Sequence, residues 1–473
     1  MLFTSSAYGL HLDRVCGILA VVMIAGLVTG QIGAHIWAGF GALTWLAAAA
    51  AVVLALLRLG SVQRMAQIFA LLSVLMALAI ALLRPEALPH MQTALFQGTA
   101  FSAFLTSLGL IRAPVRASRL VAQAAARLFA ASANRRAGAV TFGAQGLSVL
   151  FNIGTIGMMS DIAENHARHA TEQGRPPINT RVMTLCALRG TVLSTIWNPI
   201  GVGFAIVTTA IPTLDPVAFL LLALASAFVI TCGTLWALRK ETAADHSPDP
   251  DRSTDLAGGR ALAVILSVVL GLIIVTLVLH RLLEISFLVA ACVVLPILSW
   301  SWPFVEPEIR AAMKNSDPLG GLGKASASMA NEATIFLAAA VIGAGVTVGF
   351  ALLGWGAGLG GEGVPALVPI LGCLFLVPLA AALLIPHSVV VVMIAQLLGA
   401  GPIGAAHPLA LGLSLCLAWA LAISASPISA MSIITGRQLG VPAARIPFDL
   451  NRRFTLVALG LAAALLVVTY FWL

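Results

Sequence analysis

Eleven apolar runs, each close to the length an α-helix needs to cross a bilayer, dominate this chain. They lie near residues 16–33, 35–57, 66–83, 94–111, 182–210, 216–238, 260–279, 284–302, 328–352, 407–435 and 454–473. Only 9% of the 473 residues are charged, against about 25% in soluble domains. Backbone polar groups in hydrocarbon must be satisfied within their own segment, so helices are expected throughout. The fold class that follows is an all-α polytopic membrane protein. The first run follows Arg14, is long enough to span and carries no small-residue cleavage site, so a retained span is expected rather than a removed signal.

Two further apolar stretches, 138–160 and 364–399, are interrupted by Asn152-Ile153-Gly154-Thr155 and Pro386-His387-Ser388. Each is predicted to be a re-entrant hairpin, entering and leaving the membrane on one side. Positive charge supports this topology. With the N-terminus in the cytoplasm, 23 of the 26 Lys and Arg fall on cytoplasmic segments. Arg84 and Arg281 fall outside, and Arg189 lies within a span. The C-terminus is then periplasmic, and the expected location is a bacterial inner membrane. The net charge of +8 is therefore a topological signal, and no nucleic-acid partner is expected. The six cysteines all sit in apolar segments without metal-ligand spacing and read as small core residues.

The polar segments sort into three cytoplasmic pieces. Residues 112–136 carry six arginines among Ala, Leu and Val, and read as an amphipathic helix touching membrane lipids. Residues 161–181 read as a polar loop, and 241–259 as a flexible linker. The domain division is then scaffold helices over 1–93, a first repeat over 94–240, the linker over 241–259, scaffold helices over 260–327, and a second repeat over 328–473. Gly354 to Gly363 reads as a glycine-rich periplasmic hinge before the second hairpin.

The halves repeat. Phe96-Gln97-Gly98-Thr99-Ala100-Phe101 matches Asn331-Glu332-Ala333-Thr334-Ile335-Phe336 at an offset of 235, and the same offset sets Asn152 against His387. After the longer loop the offset is 228, which sets Asn198-Pro199-Ile200-Gly201 against Ser426-Pro427-Ile428-Ser429. Each half reads span, hairpin, broken span, final span, and the two halves enter from opposite sides. A proline within a membrane helix frees carbonyls that need a cavity or a neighbouring helix. Paired breaks in matching halves point to a transporter's binding site.

Broken helices and hairpin tips offer unpaired N–H groups and carbonyls near the middle of the membrane. The candidate substrate-binding set is Asn152, Thr155, Asn198, Pro199, Gly201, His387, Ser388, Ser424, Ser426, Pro427 and Ser429. Neutral donors without a carboxylate suit a small anionic solute. His387, Glu332 and Arg189 are candidates for coupling, because ionisable groups at membrane depth default to function. Oxygens of Asn152, Asn198 and Ser426 are candidate sodium ligands. No organic cofactor is expected, only sodium or a proton as coupling ion.

With these features the chain resembles the ion transporter superfamily, specifically proteins with the divalent-anion:sodium symporter fold. The likeness covers residue 35 to the end and rests on architecture. Members often carry Ser-Asn-Thr at both tips, whereas here the first tip keeps Asn152 and Thr155 and the second reads Pro386-His387-Ser388. The Ser-Pro-Ile-Ser break is similar to proline breaks in the membrane subunits of tripartite ATP-independent periplasmic transporters. The resemblance implies an elevator mechanism, with hairpins and broken helices moving against a scaffold, and a homodimer.

Other classes fit less well. A cation/proton antiporter or exporter would favour deep aspartate pairs, and the expected core has none. A membrane-embedded transferase would need a catalytic cluster, and His387 stands alone, so no enzyme is expected. There is no phosphate-binding glycine loop.

Overall fold

The apolar runs become helices, separated where proline, glycine or polar clusters stop them. A computed structural model describes residues 7–242, 255–307, 309–310, 317–354 and 365–473. The described residues are helical with no strand. The first helices are α1 (Ala7–Ala34), α2 (Gly41–Arg58), α3 (Arg64–Leu83), α4 (Leu88–Ala117), α5 (Arg119–Phe129), α6 (Ala133–Phe151) and α7 (Gly154–Glu172). Next come α8 (Thr180–Trp197), α9 (Val202–Ala210), α10 (Pro216–Ala237), α11 (Arg239–Thr242), α12 (Asp255–Leu283) and α13 (Phe287–Val305). The last are α14 (Pro318–Ser328), α15 (Ala330–Leu352), α16 (Leu367–Ala382), α17 (His387–Gly399), α18 (Pro402–Ala406), α19 (Pro408–Ala425), α20 (Ala430–Gln438) and α21 (Arg452–Trp472).

Eleven spans among the described residues are long and apolar enough to cross a membrane, and they coincide with the eleven expected runs. The two broken spans are the most enclosed, with 83% and 89% of their apolar windows buried, against 11% for α3. Freed backbone groups thus sit within protein, as hydrocarbon requires. The chain is a multi-pass membrane protein.

The helices form two compact units. The first comprises Met1–Ala117, Ile274–Gly358 and Val392–Leu398. Here α14 lies so close to α1 that a Cβ on Gly17 would collide with the carbonyl oxygen of Leu319, and one on Gly323 with that of Asp13. Small residues let membrane helices approach this closely. Arg58 closes the same end, donating to Asp13 at 2.7 Å and to the Gly323 carbonyl at 3.1 Å. Phe101 of α4 and Phe336 of α15, which the repeat aligns, pack with ring centroids 5.5 Å apart.

The second unit comprises Ser118–Ile273, Leu359–Val391 and Gly399–Leu473. It holds the first tip, His387 and Ser388 of the second, and both breaks, whereas α4 and α15 belong to the first unit although the repeat begins with them. Within the second unit α6 packs on α8, with Ser148 donating to Thr191 at 3.0 Å. α7 joins α8 through Ser160 and Thr184, 2.9 Å apart. Ser414 of α19 donates to the Ile370 carbonyl of α16 at 2.6 Å.

Two readings of the polar segments change, and so does one of the cysteines. Residues 112–136 are not one helix: Ser118 ends α4 and caps α5 by accepting from the Val121 N–H at 3.2 Å. The apolar face of α5 (Val121, Ala124, Ala125, Leu128, Phe129) is buried, with Leu128 packed on α6, so it is not free to enter lipid. The expected loop at 161–181 is helical as far as Glu172. There His166 stacks on Phe129 at 5.8 Å, and burial, with the Arg136 charge nearby, holds its pKa below the usual imidazole value. Cys232 is exposed on its helix, unlike the other five cysteines, which are buried. Residues 243–254 of the linker and 355–363 of the glycine segment lie outside the described residues.

Candidate functional site

The first break forms because Pro199 cannot continue α8. Asn198 leaves the helix at φ −63°, ψ 109°, and its Oδ1 accepts from the Ile200 N–H at 3.1 Å. This Asx turn also brings the Gly201 N–H to the Asn198 carbonyl at 2.9 Å. Since Oδ1 faces a backbone donor, the amide NH2 of this 7% exposed side chain remains available as a donor. α9 then starts at Val202, where the N–H groups of Val202 and Gly203 precede the first helix bond, from the Ala205 N–H to the Gly201 carbonyl at 3.1 Å.

The second break follows the same logic. Ser426 leaves α19 at φ −89°, ψ 123°, ahead of Pro427, and is buried. Ser429 caps α20: its Oγ accepts from the Ser432 N–H at 3.1 Å and donates to Ser432 Oγ at 3.0 Å. Ser424, in the last turn of α19, is held by Asn451 at 2.9 Å and by Thr455 at 2.7 Å. The hydroxyls of Ser424 and Ser429 are therefore engaged in structure. The side chain of Ser426 makes no hydrogen bond among the described residues.

At the first tip Asn152 ends α6 at φ +50°, a region non-glycine residues seldom occupy and asparagine tolerates best. Its carbonyl accepts from the Thr155 N–H at 3.2 Å. Thr155 Oγ1 is fully buried without a partner among the described residues. At the second tip, His387 packs edge-on against Trp419 of α19, ring centroids 4.8 Å apart at 73°. A Cβ placed on Gly203 in the first turn of α9 would lie 3.3 Å from the same indole. Trp419 is thus the surface on which the second tip and the first break meet. Among the described residues, the buried charges of this unit are Arg136 and Arg189, with no buried Asp or Glu.

Other sequence candidates fall elsewhere. Glu332 is half-buried in the first turn of α15, in the first unit. Arg189 is 5% exposed and pairs with Glu241 at 3.2 Å and with Asn451 Oδ1 at 3.0 Å, so its partners are protein groups. The described residues contain no cluster of three His, Cys, Asp or Glu side chains suited to a metal.

Several residues of this region escaped the sequence reading. Trp419 is one apolar residue in an apolar run, and Gln145, which bonds Trp197 at 3.2 Å and Thr231 at 2.8 Å, has no neighbour in sequence that marks it. Asn451 did carry a signal, a helix-capping residue just before an apolar run, but nothing local ties it to Ser424.

No known protein family and no curated protein matches the sequence. Fourteen solved chains match in structure. One is the YdaH transporter of Alcanivorax borkumensis, at 18% identity and a TM-score of 0.55, covering 85% of this chain and 97% of that one. The chain therefore has the fold of a membrane transporter.

Proposed function

We propose that the protein is a secondary active transporter that moves a small anionic solute, a carboxylate or oxyanion, across the inner membrane by an elevator mechanism coupled to sodium or protons. One observation carries this reading: both breaks and His387 belong to a single compact unit, and the first turn of α9 and His387 meet on Trp419. The Asn198 amide, Ser388, Ser426 and the backbone N–H groups of Val202 and Gly203 at the start of α9 supply donors, while the buried charges of that unit are cationic. Such a set favours a negatively charged ligand. The side-chain oxygens of Asn152 and Ser426 are unengaged and suit a sodium role; Asn198 suits the donor role. The two tips are taken as re-entrant hairpins and the first unit as scaffold. The protein works as a homodimer with its N-terminus in the cytoplasm.

Purified protein in proteoliposomes tests it directly. Small mono- and dicarboxylates, phosphate and sulfate are offered while sodium and proton gradients are imposed separately. An anion from this panel should accumulate under one of the two gradients, and Ser426→Ala should lower that uptake at least about tenfold, the effect of a lost hydrogen bond to a charged group, with folded protein retained. Uptake indifferent to both gradients, or restricted to cations, overturns the proposal.

A further inference from the structure

The donor-only chemistry of Arg189 gives a direction to a buried chain of hydrogen bonds. A guanidinium can donate but never accept. Its Nε donates to Asn451, so Oδ1 of that carboxamide must face Arg189. The amide NH2 then turns the other way and donates to Ser424 Oγ at 2.9 Å. Thr455 Oγ1 donates back to the Asn451 carbonyl at 3.2 Å, which leaves the Ser424 proton for Thr455 at 2.7 Å. Every donor along the path is thereby assigned.

The surroundings keep the cation in place. Glu241 pairs with Arg189 at 3.2 Å and with Arg453 at 3.5 Å, and the Phe454 ring lies 5.5 Å from the guanidinium carbon. Asn451 is completely buried, delivered by a π turn over Ile446–Leu450 in which its N–H reaches the Ile446 carbonyl at 2.8 Å. Ser424 stands two residues before Ser426, where α19 ends.

We infer that Arg189 is a positioning residue for the second break: from a helix of the first half it holds the end of α19 closed through Asn451. It acts on a break that the proposed transport reading uses, but the holding itself needs no substrate.

The test follows the reaction rate of a cysteine at position 426 with a membrane-impermeant maleimide, read by peptide mass so that native cysteines do not interfere. In the Ser426→Cys background, Arg189→Gln should raise the labelling rate about tenfold, the opening expected when about 1.4 kcal/mol is lost locally. Glutamine can turn its amide either way and so removes the direction. Arg189→Lys, also donor-only, should stay within about threefold of the parent, because most of the direction survives. Ser424→Ala, which leaves the Arg189–Glu241 pair intact, should raise labelling like Arg189→Gln and guards against a variant that fails to fold. Asn198→Cys at the first break, combined with Arg189→Gln, should label at the rate of Asn198→Cys alone. Unchanged labelling at position 426 in both Arg189→Gln and Ser424→Ala overturns the inference, as does an equal rise at position 198. Absence of gradient-driven anion uptake by the parent protein in the panel assay, with the labelling pattern as expected, would overturn the transport reading alone.

Discussion

Gly190→Ala should cost about 3 kcal/mol or more, and Gly190→Leu should leave no folded protein to purify. Gly190 lies in α8 where that helix crosses α6, and a Cβ there would collide with the Thr141 carbonyl oxygen and stand 2.8 Å from Ala144 Cβ. Backbone cannot rotate away as a side chain can, so the two helices must separate. Separation would break the Ser148–Thr191 bond of 3.0 Å and strip Gln145 from Trp197, both immediately behind the first break. The control is Gly271→Ala in α12, where nothing lies within 4 Å of the added methyl. That change should leave stability unaltered or raise it by up to about 1 kcal/mol, since alanine is the better helix former. Size-exclusion elution and thermal unfolding in detergent read both. A Tm for Gly190→Ala within about 2 °C of the parent would mean that the helices are not in this contact.

The parts of the fold that were legible in the sequence are those with a local physical cause. A span announces itself because its residues must be apolar over a fixed length, and all eleven were placed this way. Breaks announce themselves because proline and small polar residues are costly within such a run. Contacts do not. Arg189 and Asn451 are 262 positions apart, and neither flank encodes the other. Nor could sequence separate hydroxyls that bind their own backbone or a neighbour from hydroxyls that remain free. Ser424, Ser426 and Ser429 look alike in a row, yet two are consumed by structure. The amphipathic pattern of α5 was real, but an apolar face suits a protein neighbour as well as lipid, and here the neighbour is α6.

Asn198→Ala should lower uptake roughly a hundredfold while the protein remains folded, the loss expected for a donor removed from a charged ligand. The side chain has two separable roles. Its oxygen holds the turn, accepting from the Ile200 N–H at 3.1 Å, and its NH2 faces no partner among the described residues. Alanine removes both, at a cost to stability of about 1–2 kcal/mol for the unsatisfied N–H. Serine separates them, because a hydroxyl can take over the turn more weakly but offers no amide. Asn198→Ser should therefore recover most of the lost Tm and still transport poorly, measured on whichever anion of the panel the parent accumulates. If serine restores both, Asn198 only shapes the break, and the ligand must take its donors from α9 and the tips. If stability returns without transport, the free amide belongs to the binding site.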